Sequence, residues 1–207
     1  MSETAGNLVE NLVALSDMVG HIPNGARAYY ADRSQPPVLT DMALAIYHAT
    51  GDAKVARLAS VAKTAKKQIA HFSDSAHTIK IAHDDETTYT LSRYGSSAGT
   101  PRPESYAEDY ATGNMVPEHS RTSLFNNIRA AAESGWDFGT RWLSNATTMS
   151  SARTMDVVPV DLNSHLCRLE SNLAEINHVL GEEDEEEDWR ERVSSRATAM
   201  NAILWRE

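Results

Sequence analysis

The chain has 207 residues, 41% hydrophobic and 23% charged, a composition that excludes a disordered chain and supplies enough apolar side chains for a core. A formal charge of −10 excludes phosphate-backbone binding as a main role, because that needs a basic surface, and no nucleic-acid partner is expected. Cys167 is the only cysteine, so an internal disulfide is excluded and the residue reads as a small core side chain.

Leu8, Val9, Leu12, Val13 and Leu15 recur at helical spacing and predict a first helix. It stops at Gly20-His21-Ile22-Pro23-Asn24-Gly25, a run of breakers. A loop rich in Arg, Tyr and Asp covers 26–37 and closes on Pro36-Pro37, which enforces extended backbone. Thr40 and Asp41 are placed to cap a helix over 42–48 that ends at Thr50-Gly51. Asp52 starts another, with Val55, Leu58, Ala59, Ala62, Ile69 and Phe72 on one face, so the two read as an antiparallel helical hairpin. Lys63, Lys66 and Lys67 would form its solvated face.

Residues 77–93 change period. The runs 77–81 and 87–91 are β-like, with a turn at 83–86, and predict a small surface hairpin. A loop of Gly, Ser, Thr and Pro, 95–103, leads into Arg102-Pro103-Glu104-Ser105-Tyr106. Helix resumes near Pro117-Glu118 and passes through Leu124, Ile128 and Ala132. After a second loop, Leu162, Leu166, Leu169, Leu173, Ile176 and Leu180 form a long apolar stripe that Gly181 ends. The acidic run 182–188 suits the positive end of a helix dipole and reads as a solvated helix start. It lacks the glycine-punctuated spacing of a calcium loop. The last helix carries Trp189, Val193, Ala197, Met200, Ile203 and Leu204. The fold class is mainly α with one small hairpin, and chemistry is concentrated in the loops between helices. No stretch is apolar enough to span a membrane and no signal peptide precedes the first helix, so a soluble chain of open compartment is expected.

The most informative stretch is 130–142. An alanine-rich helix ends at Glu133-Ser134-Gly135, where glycine permits a sharp left-handed turn. Asp137 follows between Trp136 and Phe138, with Arg141-Trp142 behind. A carboxyl set in an apolar wall loses hydration of its charged form, and its pKa rises towards that of a general acid. Aromatic faces also suit the C–H faces of a sugar. The rival reading is a loop aspartate capping the next helix beside two core aromatics. Two further loops hold amides and guanidinium groups of the kind that orient hydroxyl-rich ligands. One contains Asn24, Arg27, Tyr29, Tyr30, Arg33, Ser34 and Gln35. The other is Arg102-Pro103-Glu104, where proline stiffens the segment between two charges. Structural salt bridges fit both loops equally well. Asp161 reads as a helix cap. The 8 histidines show no zinc-ligand spacing, and no phosphate loop or nucleophile elbow is present, so neither metal nor cofactor is expected.

Ile22-Pro23-Asn24-Gly25, Tyr29-Tyr30, Arg33-Ser34-Gln35-Pro36-Pro37, Pro101-Arg102-Pro103-Glu104-Ser105, Glu133-Ser134-Gly135-Trp136-Asp137-Phe138, Arg141-Trp142 and Pro159-Val160-Asp161-Leu162-Asn163 occur in the order found in trehalases. Over nearly its whole length the chain resembles the inverting trehalase family of glycoside hydrolases. The resemblance implies part of an (α/α)6 toroid and hydrolysis of α,α-trehalose to two glucose molecules. It implies Asp137 as the general acid and Arg33 and Arg102 as two essential active-site arginines. Asn24, Gln35, Glu104, Gly135 and Trp136 would line the sugar subsites. An inverting glycosidase also needs a base-activated water on the opposite face of the sugar, with the carboxyls about 6.5–9.5 Å apart. The family's Pro-Gly-Gly-Arg-Phe segment and its later Gln-Trp-Asp-x-Pro segment, with the base glutamate beyond it, have no counterpart here. Neither Glu207 nor the acidic run has the context of that base. Residues 1–207 are therefore expected to form a partial catalytic domain holding the acid and not the base. The alternatives are a non-catalytic sugar-binding remnant, a gene-model fragment and a plain helical interaction module.

Overall fold

The computed structural model describes residues 2–83 and 87–205, and among these the chain forms eight α-helices and one two-stranded sheet. Helix α1 (Ser2–Val19) buries Val9 and sets Leu12 and Val13 against the core. Helix α2 (Leu39–Thr50) begins earlier than its capping signal. Thr40 and Asp41 lie inside the first turn and Val38 occupies the cap position without a side-chain bond. Tertiary ties have taken both candidates: Asn172 Nδ2 donates to Thr40 Oγ1 and to Asp41 Oδ1, each at 3.0 Å, and Arg168 also pairs with Asp41. Gly51 ends α2 at φ 67°.

Asp52 caps the next helix as expected, its Oδ1 accepting from the backbone of Lys54 at 2.8 Å and Val55 at 3.3 Å. That helix is broken after one turn. Arg57 sits at φ 56°, dividing α3 (Ala53–Ala56) from α4 (Leu58–His71). The break rephases the buried face: Ala56, Val61 and Ala65 go inside, while Ala59 is exposed.

Strands β1 (Thr78–Ala82) and β2 (Thr88–Ser92) pair antiparallel with Thr78 opposite Ser92. Of the turn expected at 83–86, residues 84–86 lie outside the described residues, as do Arg206 and Glu207. Asn163 ties the hairpin to the helical body by exchanging two hydrogen bonds with the Ser92 backbone, at 2.9 and 2.8 Å. It is fully buried and acts as a side-chain substitute for a neighbouring strand.

Helix α5 (Tyr106–Gly113) does not follow from the apolar pattern. Its two tyrosines, Tyr106 and Tyr110, stack on each other and face solvent. Helix α6 (Glu118–Glu133) buries its alanine-rich end. An irregular stretch then runs to α7 (Val160–Leu180), whose stripe from Leu162 to Ile176 forms the centre of the core with α2 and α4. Gly181, at φ 78°, turns the chain into α8 (Glu183–Leu204), which packs back along α7. The acidic residues occupy the first turn of α8, as expected. Glu185 of this turn holds Lys66 at 2.7 Å. Cys167 lies half-buried at the margin of the core, and burial pushes its thiol pKa up. No helix among the described residues is long and apolar enough to cross a membrane.

Candidate active site

Each residue expected to act on or line the sugar site lies on one of three segments between the main helices. Asn24, Arg33 and Gln35 lie between α1 and α2, Arg102 and Glu104 lie between β2 and α5, and Gly135, Trp136 and Asp137 follow α6. The segments touch pairwise. Arg33 Nη2 donates to Glu104 Oε1. The Arg102 guanidinium lies 4.8 Å from the centre of the Phe138 ring. Gly135 abuts Gln35 so closely that a Cβ at that position would stand 3.2 Å from Gln35 Oε1. Each contact joins a different pair of segments, and together they close a triangle.

Local bonds fix the corners. Asn24 braces the backbone around Arg33, its N–H donating to the Arg33 carbonyl at 2.9 Å and its Nδ2 to the Ser34 carbonyl at 3.3 Å. Arg33 is buried, with its guanidinium 5.2 Å from the Tyr30 ring centre. Arg33 Nε and Glu104 Oε2 are buried with no hydrogen-bond partner among the described residues. Buried polar groups are normally satisfied, so this pair has capacity to spare for a ligand's hydroxyls.

Arg102 does not pair with Glu104. It makes a two-pronged bond to Asp109 through Nε at 2.9 Å and Nη2 at 2.7 Å, and its backbone N–H reaches the same carboxylate at 2.9 Å. Burial works against the charge on Arg102, but the Asp109 carboxylate outweighs it and the pKa is raised. Asp109 belongs to the helix that the sequence pattern did not reveal, which is why it was missed. Asp32 was missed for a similar reason: besides its neighbour Arg33, at 3.3 Å, it pairs with Arg129, which lies far along the chain and is held by the carbonyls of Thr100 and Pro101 at 2.8 and 2.7 Å.

The turn after α6 forms as expected, with Gly135 at φ 70°. The apolar wall around Asp137 does not. Asp137 is exposed and Trp136 is 62% exposed, so these neighbours do not desolvate the carboxyl. Nor does Asp137 cap a helix, because the following single 3-10 turn, Thr140–Trp142, is preceded by Gly139. Asp161 is also no cap. It lies within the first turn of α7, behind Pro159, and accepts from Arg141 Nη2 at 2.7 Å.

Beneath the triangle lies a carboxylate the sequence did not single out. Glu133 is fully buried. Its Oε1 accepts from the Ser34 N–H at 3.0 Å and the Ser34 hydroxyl at 2.9 Å, and meets His71 Nε2 at 2.8 Å. Its Oε2 meets His77 Nε2 at 2.9 Å and the Gly95 N–H at 3.3 Å. Among the described residues, His71, Asp74 and His77 have the composition of a metal site. Both ring nitrogens of His77 are spent on carboxylates, and His71 Nε2 is spent on Glu133.

The sequence model for the family described as trehalase matches residues 1–207. The chain belongs to the trehalase family. It is 39% identical to a trehalase of Oryctolagus cuniculus, with 100% of this chain aligned to 36% of that protein. It is 34% identical to a probable trehalase of Oryza sativa subsp. japonica, with 99% aligned to 36%. Among solved structures, a neutral trehalase of Saccharomyces cerevisiae superposes with a TM-score of 0.70 at 20% identity, over 98% of this chain and 40% of that one. The fold is thus part of an (α/α)6 toroid. This trehalase-family chain spans about 36% of the length of the rabbit and rice relatives it matches.

Proposed function

We propose that residues 1–207 form a middle portion of a trehalase catalytic domain and supply one side of its sugar site. Asp137 is the general acid that protonates the glycosidic oxygen in an inverting hydrolysis of α,α-trehalose. Arg33 and Arg102 hold sugar hydroxyls, with Asn24, Gln35, Glu104, Gly135 and Trp136 completing the subsites. The observation that carries this reading is the closed triangle of segments. Three stretches far apart in sequence, each bearing a trehalase motif, meet through Arg33–Glu104, Arg102–Phe138 and Gln35–Gly135. The unsatisfied atoms of Arg33 and Glu104 support it.

The exposure of Asp137 and Trp136 fits an acid whose apolar surroundings are completed by further parts of the domain. The base has no matching motif in these residues, and loss of a general acid or base typically lowers turnover by about 10²–10⁴-fold. Calorimetric titration of the purified 207-residue chain with trehalose, alongside glucose release, tests the reading. Binding with turnover lowered by that factor is expected. Turnover typical of trehalases would overturn the assignment of the base to a segment outside these residues. Absence of binding would overturn the assignment of the triangle as a sugar site.

A further inference from the structure

Glu133 touches all three segments of the candidate site. It begins the turn that carries Gly135, Trp136 and Asp137. Through Oε1 it holds Ser34, between Arg33 and Gln35, and through Oε2 it holds the Gly95 N–H, where the chain leaves β2 towards Arg102. A carboxylate at the C-terminal end of α6 faces the negative end of the helix dipole and is fully removed from water. Both effects oppose its charge; the Ser34 and Gly95 donors offset part of this, and a cationic partner offsets more.

That cation is His77. Its Nδ1 lies 2.8 Å from Asp74 Oδ1 and its Nε2 lies 2.9 Å from Glu133 Oε2. A neutral imidazole donates from one nitrogen only, so bonds from both nitrogens to carboxylates require imidazolium. The other groups facing His77 are His71, at 4.4 Å between ring centres, with His21 stacked on it at 4.3 Å. Arg93 lies alongside, its backbone N–H on the His77 carbonyl and its guanidinium on the carbonyls of Ala76 and Met155. Phe72 closes the apolar side.

We propose that His77, acting through Glu133, is a proton-dependent positioning residue for the sugar site: protonated, it pins the Arg33–Gln35, Gly95 and Gly135–Asp137 segments together, and deprotonated it releases them. Its role as a site device rests on the sugar-binding reading above, while the clamp itself does not. The direction of the titration agrees. Burial lowers the His77 pKa, but the hydrogen bonds to Glu133 and Asp74 outweigh it and the net shift is upward. Burial, the largest effect, and the neighbouring His71 hold the His21 pKa down.

The test is a nuclear magnetic resonance titration of the 207-residue chain, following the His77 ring and the Ser34 and Gly95 amides. The expected result is a His77 midpoint above the ordinary imidazole value of about 6.5, with both amide signals moving at the same midpoint. His77→Arg, charged throughout, is expected to hold the amides at their low-pH positions across the range. His77→Gln is expected to hold them at their high-pH positions. A His77 midpoint at or below the ordinary value, or amides indifferent to it, overturns the clamp, and the wild-type titration alone delivers either outcome. Trehalose calorimetry on each side of the midpoint is read separately. A titrating clamp with no sugar binding at any pH overturns the sugar-site reading and the device's role in it, and leaves the clamp standing. A titrating clamp with pH-independent binding overturns its role as a device.

Discussion

The guanidinium of Arg33 meets the carboxylate of Glu104 71 positions further along the chain, with only 3% and 15% of the two side chains exposed. Removing Glu104 leaves the buried Arg33 with Asp32 Oδ1, 3.3 Å from its Nη1, as a remaining carboxylate partner, so the cost lies below the about 3–5 kcal/mol of stranding a buried charge outright. Glu104→Ala is therefore expected to lower the free energy of unfolding by about 1–3 kcal/mol, the cost of leaving one prong of Arg33 unsatisfied, read from urea denaturation. It is also expected to abolish trehalose binding. A loss below about 1 kcal/mol would show that Arg33 finds solvent or another acceptor.

Asp137→Asn presents the opposite case. The side chain is exposed and caps no helix, so stability is expected to change by less than about 0.5 kcal/mol. Turnover in any longer form that releases glucose from trehalose is expected to fall by about 10²–10⁴-fold. Unchanged turnover would remove Asp137 from the role of acid.

Gly135→Ala separates backbone strain from contact. An L-residue in left-handed backbone costs about 1–2 kcal/mol, and the new Cβ would also press on Gln35 Oε1. Gly51 shares the conformation, at φ 67°, but nothing lies within 4 Å of its Cβ position. Both alanine variants are expected to lose a few degrees of melting temperature, at about 2–4 °C per kcal/mol for a chain of this size. Only Gly135→Ala is expected to weaken sugar binding as well.

The helices with long apolar stripes and their glycine stops were legible because that information is local. The run from Leu162 to Ile176 with Gly181, and the Asp52 cap, depend on spacing and on one residue's own conformation. What escaped was set by distant partners. Thr40 and Asp41 carry cap chemistry, yet Asn172 and Arg168 claim them. Helix α5 has its tyrosines outward, so no apolar face announced it. The motif residues of the site were legible as types, but Arg102 takes Asp109 and Arg33 takes Glu104, pairings that need the tertiary fold. Glu133 was read as the end of a helix, since nothing local distinguishes it from a solvated glutamate.

The network around Glu133 predicts a stability profile with two limbs. Burial raises the Glu133 pKa, but hydrogen bonds from His71 and His77 outweigh this and hold it well below the ordinary carboxylate range. Its contribution is thus complete above the unfolded value of about 4.5 and is lost as pH falls through the depressed folded value. For His77 the sign reverses. Its folded pKa is raised above 6.5, so its contribution is complete below that value and is lost as pH rises through the folded one. The difference in unfolding free energy between wild type and His77→Gln, measured by denaturation across pH, is expected to be constant below about 6.5 and to shrink above it by at most about 1.4 kcal/mol per pH unit.

Asn163 predicts a simpler loss. Asn163→Ala leaves the Ser92 N–H and carbonyl buried and unpaired, at about 1–3 kcal/mol for each group. Hydrogen exchange is expected to accelerate in β2 before the rest of the fold opens.

The burial of Glu133 has a bearing on descent. A half-satisfied polar cluster is worse than an apolar core, because each orphaned member keeps its desolvation cost. Replacing Glu133 alone would leave His71, His77 and Ser34 each short of a buried partner, and replacing His77 alone would take the imidazole from Glu133 Oε2. Lineages that leave this arrangement are expected to do so by changing position 133 together with positions 71 and 77. A relative with an apolar side chain at the first should lack imidazoles at the other two.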